Sequence, residues 1–236
     1  VRWASARPRA GVSIQVARPE AGRGHSEHAY GLVTIVPPEP AGARAIPRDL
    51  ILLLDTSGSM MGRSLDHAKR VVGMLIDSLG ESDRLEMIAF ANAPRPWRSG
   101  AVAATAPMQR EAHAWLAGLQ AGGGTEMVGA VEEALRPLRE GAQRQVVIVT
   151  DGEIGFEDEV VGARCSRLPA GSRFHAVGVG SAVNDALLCP AARAGRGACI
   201  MVDLDEDAER GAARLIAATR KPVVIDLEIS GGAVAG

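Results

Sequence analysis

Five side chains with hydroxyl or carboxylate oxygens stand in three short segments of this 236-residue chain, each beside a predicted strand or helix. Such oxygens are the ligands that a hard cation such as Mg²⁺ takes in proteins. Because three of the five are neutral hydroxyls, a cation held by this set would keep enough positive charge to accept one more anionic oxygen from outside. Glycine-rich turns and capping aspartates are common, so turns without a metal are the alternative. The five residues are Asp55, Ser57, Ser59, Thr125 and Asp151.

Strands that alternate with helices would carry these segments to one place. The apolar run 50–54 leads directly into Asp55, which is typical of a strand buried on both faces of a parallel sheet. Apolar residues then recur at spacings of three and four from Leu65 to Leu79, which indicates an amphipathic helix. The alternation predicts a doubly wound α/β fold with a mostly parallel central sheet, one short antiparallel edge strand and helices on both faces. Ligands of such sheets bind where the strands reach their carboxyl ends.

The other elements follow from the same patterns of apolar residues, glycine and proline. Further strands are predicted at 84–91, 145–150, 173–179 and 198–202, with an edge strand at 95–102 that Pro96 interrupts. Further helices are predicted at 108–119, 126–137, 156–168, 184–193 and 206–220.

Three regions are predicted along the chain. Residues 1–47 read as a β-rich linker or appendage, with strand-like runs at 11–16 and 30–36 between prolines and glycines. Residues 48–221 form the α/β domain. Residues 222–236 contain an alternating stretch that predicts a half-exposed strand leading into a following β region. Since the chain starts at a valine, we expect it to be a piece of a longer protein, with targeting signals outside it. His25 and His28 are either metal ligands or part of a solvated loop.

Composition excludes several kinds of partner. The formal charge of −2, from 26 basic and 28 acidic residues, gives no electrostatic reason to expect nucleic acid or an anionic membrane surface. Only 3% of the residues are aromatic, which argues against a stacking platform. No apolar run approaches the roughly 20 residues of a membrane span, so no membrane insertion is predicted.

The three cysteines cannot all pair within one chain. They are buried thiols, or Cys189 and Cys199 form a bridge if the protein is exported.

Enzymatic alternatives lack a required residue. A phosphatase of the haloacid dehalogenase type also begins with an apolar strand that runs into an aspartate, but it needs a second acid two positions later. Here that position is Ser57. No serine stands in a Gly-x-Ser-x-Gly sequence, and the glycine run before Thr125 has no lysine, so neither a serine hydrolase nor a phosphate-binding loop is predicted. We therefore expect no enzymatic activity.

The motif Asp55-x-Ser57-x-Ser59, followed by Thr125 and Asp151 at these intervals, resembles the metal-ion-dependent adhesion site of von Willebrand factor type A domains. The resemblance extends over residues 48–221. It implies that the three hydroxyls bind the metal directly, while the two carboxylates act mostly through bound water or as hydrogen-bond acceptors. The implied cation is Mg²⁺, with Mn²⁺ or Ca²⁺ as alternatives.

A narrower resemblance is to bacterial proteins of the inter-alpha-trypsin-inhibitor heavy-chain type, carried by stretches such as RDLILLLDTSGSMMG and VVIVTDGEIGFEDE. In these proteins a β-rich domain precedes the type A domain. The resemblance implies a protein-binding or adhesion module in which the metal accepts an acidic side chain of a protein partner. The alternative is a scaffold whose metal is purely structural and whose flanking β segments bind the partner. An extracytoplasmic or cell-surface location is implied, with the cytoplasm left open, and the oligomeric state is not specified.

Overall fold

A computed structural model describes residues 11–17, 29–36, 47–135, 142–152, 168–169, 171–181, 183–205 and 208–219. These residues fall into two compact units. The smaller unit contains two antiparallel strands, β1 (Gly11–Ala17) and β2 (Tyr30–Val36), which confirms the two predicted runs. Residues directly opposite in an antiparallel pair share a face. The pairs Val12 with Ile35 and Ile14 with Val33 therefore give this ribbon one apolar face.

The larger unit is built on a seven-stranded sheet. Its strands are β3 (Arg48–Asp55), β4 (Arg84–Phe90), β5 (Pro94–Pro96), β6 (Val102–Ala103), β7 (Gln143–Thr150), β8 (Ser172–Val179) and β9 (Arg196–Val202). The five long strands are parallel, in the spatial order β4-β3-β7-β8-β9. The two short strands, β5 and β6, pair with β4 in the antiparallel direction.

Helices cover both faces of this sheet, as predicted. Side chains of β3 alternate between two apolar clusters, since successive residues of a strand point to opposite faces. Within the described residues the helices are α1 (Arg63–Asp77), α2 (Ala106–Ala117), α3 (Met127–Ala134), α4 (Asp185–Ala194) and α5 (Ala208–Thr219). Leu52 and Leu54 pack in the cluster that contains residues of α1, α2 and α5. Ile51 and Leu53 pack in the cluster that contains residues of α3 and α4.

The predicted edge strand at 95–102 is wrong in its extent, because the structure divides it into β5 and β6. Proline cannot donate to a strand ladder, and both Pro94 and Pro96 lie in β5. Gly100, at φ +90°, then turns the chain before β6 begins. Three predicted features lie outside the described residues: the helix at 156–168 apart from its last residue, the strand within 222–236, and the pair His25 and His28. Among the helices that the structure describes, none has both the length and the apolar character needed to cross a bilayer.

Of the two alternatives for the cysteines, the structure contains the disulfide. Cys189 of α4 and Cys199 of β9 are bonded, with their Cα atoms 5.1 Å apart. Cys165 lies outside the described residues. The disulfide closes a loop with a sequence separation of 10 residues and fixes α4 against the last strand of the sheet.

A buried histidine replaces part of the hydrogen-bond ladder between β8 and β9. The pairing shifts register between Phe174 and Ala176, and there the amide of Ala198 donates to Nδ1 of His175 at 3.0 Å. Because Nδ1 accepts, the ring proton lies on Nε2, which donates to Oε1 of Gln145 at 2.7 Å. Burial lowers the pKa of His175 to about 4, and the charge of Arg173 acts in the same direction.

The burial of His175 predicts a loss of stability in mild acid. The pKa of an exposed histidine in the unfolded chain is about 6.5, so between pH 6.5 and 4 the unfolded state binds a proton that the folded state does not. The free energy of unfolding therefore falls as the pH is lowered through this window, by about 3 kcal/mol in total.

Denaturant unfolding of wild type and His175→Asn at pH 7.5, 5.5 and 4.5 measures this contribution. The variant is expected to be less stable at pH 7.5 but less sensitive to pH. The same pH dependence of unfolding free energy in both proteins would contradict the assignment of this effect to His175. Burial also lowers the pKa of His67, but both proteins contain His67, so its contribution cancels when the two are compared.

The disulfide predicts a second stability difference. Closing a loop of this length stabilises the folded state by about 2 to 3 kcal/mol, through the lost entropy of the unfolded chain. We expect Cys189→Ser/Cys199→Ser to lose that amount in chemical denaturation. Dithiothreitol should lower the melting temperature of wild type and leave that of the double variant unchanged. An equal response of both proteins to the reductant would contradict the bridge.

Candidate metal centre

The site begins at a carboxylate buried at the end of the central strand. Asp55 is the last residue of β3 and is completely buried. The register of β3 and β7 pairs Leu54 with Val149, and the next residue of β7, Thr150, donates from Oγ1 to Oδ2 of Asp55 at 2.5 Å. The other carboxylate oxygen, Oδ1, accepts the backbone N–H of Ser57 at 2.8 Å. The orientation of Asp55 is thus set by two neighbouring strand ends.

The electrostatics of Asp55 are unfavourable for its charged form in the absence of a cation. Burial raises the pKa of its carboxyl above the usual value, and the hydrogen bonds from Thr150 and Ser57 offset part of that effect. The negative charge of Asp151 raises the pKa further. Two carboxylates close enough to interact, one of them fully buried, make this edge of the sheet a place where a cation would be stabilising.

The turn after Asp55 aligns two hydroxyls. Residues Gly58–Met60 form a short 3₁₀ turn, and the side chain of Met60 is completely buried. The Oγ atoms of Ser57 and Ser59 lie 3.1 Å apart. Ser57 is buried whereas Ser59 is exposed, so the hydroxyl pair runs from the interior to the surface.

The glycine run brings Thr125 to the same edge. The amide of Gly122 donates to the carbonyl of Thr56 at 2.8 Å, and the amide of Gly58 donates to the carbonyl of Gly123 at 3.0 Å. Gly123 has φ +88°, a conformation that glycine adopts without strain. These two backbone bonds join the turn of the serines to the segment that ends in Thr125, which is half-buried.

Asp151 follows β7 and is also buried, with 7% of its surface exposed. Gly152, at φ +77°, turns the chain immediately afterwards, and its amide donates to Oγ1 of Thr150 at 3.0 Å. The amide of Asn184, the N-cap residue of α4, donates to the carbonyl of Asp151 at 3.2 Å. The backbone of Asp151 is therefore fixed from both sides.

Sequence reasoning missed three residues that support the site. Thr150 orients Asp55. Thr56 donates from Oγ1 to the carbonyl of Phe90 at 3.0 Å and so attaches the serine turn to β4. Asn92 accepts the amide of Gly124 at 2.6 Å. The signal for Thr150 was available, because it ends the strand beside β3, but the other two depend on contacts between loops distant in sequence.

The donor set fits a hard cation. Two ligands in neighbouring positions of an octahedron with metal–oxygen distances of about 2.1 Å lie about 3.0 Å apart, close to the 3.1 Å between the serine hydroxyls. In the part of the chain that the structure describes, no three His, Cys, Asp or Glu side chains form a metal-binding group. The candidate ligands are instead three hydroxyl oxygens together with the carboxylates of Asp55 and Asp151.

The chain is similar in sequence or in fold to several known proteins. Inter-alpha-trypsin inhibitor heavy chain H4 of Bos taurus is 28% identical over 162 residues, which cover 65% of this chain but only 16% of the bovine protein. A von Willebrand factor type A structure from Catenulispora acidiphila matches with a TM-score of 0.66 and 18% identity, over 93% of this chain and 51% of that one. Proximal thread matrix protein 1 from the mussel byssus, solved with a zinc-occupied metal-ion-dependent adhesion site, matches with a TM-score of 0.58 and 17% identity, over 74% of this chain and 46% of that one.

Residues 48–200, more than half of the chain, match the family described as von Willebrand factor type A domain. The chain belongs to the von Willebrand factor type A domain family.

Proposed function

We propose that this chain is a protein-interaction module that binds its partner through a divalent cation at the carboxyl ends of β3 and β7. The hydroxyls of Ser57, Ser59 and Thr125 hold the cation directly. Asp55 and Asp151 act through bound water or as hydrogen-bond acceptors that compensate the charge of the cation. Mg²⁺ is the proposed ion, since its ligands in proteins are oxygens and it keeps several bound waters.

The observation that carries this proposal is the pair of serine hydroxyls above the buried carboxylate. Ser59 is exposed, so one side of the pair faces solvent. Because the proposed direct ligands are neutral, a cation bound there keeps a net positive charge toward that side. A carboxylate from a partner protein would bind the cation on that side and neutralise part of this charge. This is the chemistry of a metal-dependent contact with an acidic side chain.

The same geometry favours binding over catalysis. Asp55 is completely buried, and both of its oxygens already accept hydrogen bonds from Thr150 and Ser57. An aspartate held in this way is poorly placed to attack a phosphoryl group, and residue 57 is a serine where a phosphatase needs an acid. The family consists mostly of non-enzymatic interaction domains.

A second candidate function is supported by the β1–β2 ribbon. Val12, Ile14 and Val16 lie on one face with about two thirds of each residue exposed, at 65%, 66% and 68%. An exposed apolar face of this kind is typical of binding surfaces. In that case the metal is structural, and the flanking β segments bind the partner.

We also propose that the protein works outside the cytoplasm. The Cys189–Cys199 disulfide is the observation that supports this location, because disulfides persist in oxidising compartments and are rare in the cytosol.

The proposed ligands predict the response of metal affinity to substitution. Ser59→Ala removes one hydroxyl at an exposed position, and we expect the affinity for Mg²⁺ to fall by at least about tenfold. Asp151→Asn removes a negative charge and should weaken binding at least as much. Isothermal titration calorimetry of the purified chain measures both affinities.

Met61→Ala is the matched control, since Met61 lies two residues beyond Ser59 and is 70% exposed. Thr56 is unsuitable as a control, because its buried hydroxyl attaches the turn to β4.

Mg²⁺ should also raise the melting temperature of wild type, because a ligand at a hundredfold excess over Kd stabilises the folded state by about 2.7 kcal/mol. EDTA should reverse the shift, and Ser59→Ala should show a smaller one at the same concentration. Equal Mg²⁺ affinities for wild type, Ser59→Ala and Asp151→Asn would contradict the proposed ligand set.

Partner binding separates the two candidate functions. We expect a random peptide library panned on the immobilised chain in Mg²⁺ to enrich sequences that contain Asp or Glu, because the cation would accept a carboxylate. EDTA should release the bound peptides, and Ser59→Ala should not retain them. Peptides that stay bound in EDTA but are lost on Ile14→Ser/Val16→Ser would support the β ribbon as the binding surface instead.

A further inference from the structure

Thr125 is held on both sides by a single segment that follows β4. The amide of Gly124, just before Thr125, donates to Oδ1 of Asn92 at 2.6 Å. The amide of Glu126, just after it, donates to the carbonyl of Ala91 at 2.6 Å. The candidate ligand is thus bracketed by two hydrogen bonds to neighbouring residues.

The bond to Asn92 differs from the others in this loop because it involves a side chain. Gly122 and Gly123 are held by backbone bonds to the serine turn, and Glu126 is held by a backbone bond to Ala91. A substitution at Asn92 therefore removes the anchor of Gly124 without changing any backbone group. Since three successive glycines have more conformational freedom than any other residues, the loss of one anchor would increase the range of positions open to Thr125.

The glycine run is fitted to the Asn92 side chain. A Cβ atom at Gly123 would lie 2.8 Å from Nδ2 of Asn92, and one at Gly124 would lie 3.2 Å from its Oδ1. Larger residues at these two positions would push the amide group away. The glycines that the sequence places before Thr125 are thus the residues that allow Asn92 to reach the loop.

We propose that Asn92 is a positioning residue of the metal centre, which fixes the hydroxyl of Thr125 and thereby sets the preference of the site for Mg²⁺ over Ca²⁺. This inference rests on the proposed metal centre. Mg²⁺ requires a nearly ideal octahedron with oxygens at about 2.0–2.1 Å, whereas Ca²⁺ accepts 6 to 8 oxygens at about 2.3–2.6 Å in flexible arrangements. A loop that holds Thr125 less firmly therefore weakens Mg²⁺ binding more than Ca²⁺ binding.

The test is calorimetric titration of Mg²⁺ and of Ca²⁺ into wild type, Asn92→Ala, Asn92→Leu and Asn92→Asp. Alanine and leucine both remove the acceptor, and leucine keeps nearly the same shape. We expect both variants to lose about tenfold in Mg²⁺ affinity, equivalent to the ordering of one residue, and to lose less in Ca²⁺ affinity. Asn92→Asp keeps an oxygen for the amide of Gly124, so the ratio of the two affinities should return to that of wild type even if its added charge raises both. Ser99→Ala, a change at an exposed residue of the turn between β5 and β6, is the control.

The outcomes distinguish this inference from the proposed function. If wild type binds neither cation, the metal centre itself is wrong. If wild type binds Mg²⁺ and Asn92→Ala and Asn92→Leu keep its ratio of Mg²⁺ to Ca²⁺ affinity, the positioning role is overturned and the metal centre stands. An equal fold loss for both cations is one such result, because general destabilisation does not discriminate between ions. Melting temperatures without metal confirm that each variant is folded.

Discussion

The hydrogen bond between Thr150 and Asp55 is the contact on which the rest of the candidate centre depends. It joins the ends of two parallel strands and orients a carboxylate that has no exposed surface. An unpaired buried charge would be strongly destabilising, and the bonds from Thr150 and from the amide of Ser57 compensate the charged form of Asp55. Burial and the charge of Asp151 raise the pKa of Asp55, and a cation held by the neighbouring hydroxyls would offset both effects.

The opposite end of β3 is closed by a different polar arrangement. Arg48, the first residue of the strand, is 7% exposed and donates to the carbonyl of Ser78, to Oδ2 of Asp83 and to the hydroxyl of Thr219. A buried guanidinium is tolerated because these acceptors replace water. Through them the central strand is tied to the ends of α1 and α5. One strand therefore carries a structural network at its start and the candidate site at its end.

The loops around the site combine freedom with restraint. The glycines before Thr125 allow close approach of the backbone and a positive φ, but by themselves they would leave the threonine poorly fixed. Contacts from Ala91 and Asn92, which follow β4, and from the serine turn supply the missing order. The same logic applies after Asp151, where Gly152 turns the chain and Asn184 holds the carbonyl of Asp151. A precise site on flexible residues is possible only because other elements hold them.

The pattern of apolar residues by itself determined the doubly wound sheet. Strands such as 50–54 are apolar along their whole length, and the apolar residues of the helices recur at spacings of three and four. It also placed the five candidate ligands in segments beside strand or helix ends, because strand ends and glycine runs are readable locally. Tertiary structure alone decided three other features. The division of the edge strand into β5 and β6, the joining of Cys189 to Cys199, and the anchoring of Thr125 by Asn92 each depend on how the chain returns in space. A local sequence pattern does not indicate a contact between residues that are 32 positions apart, as Asn92 and Gly124 are.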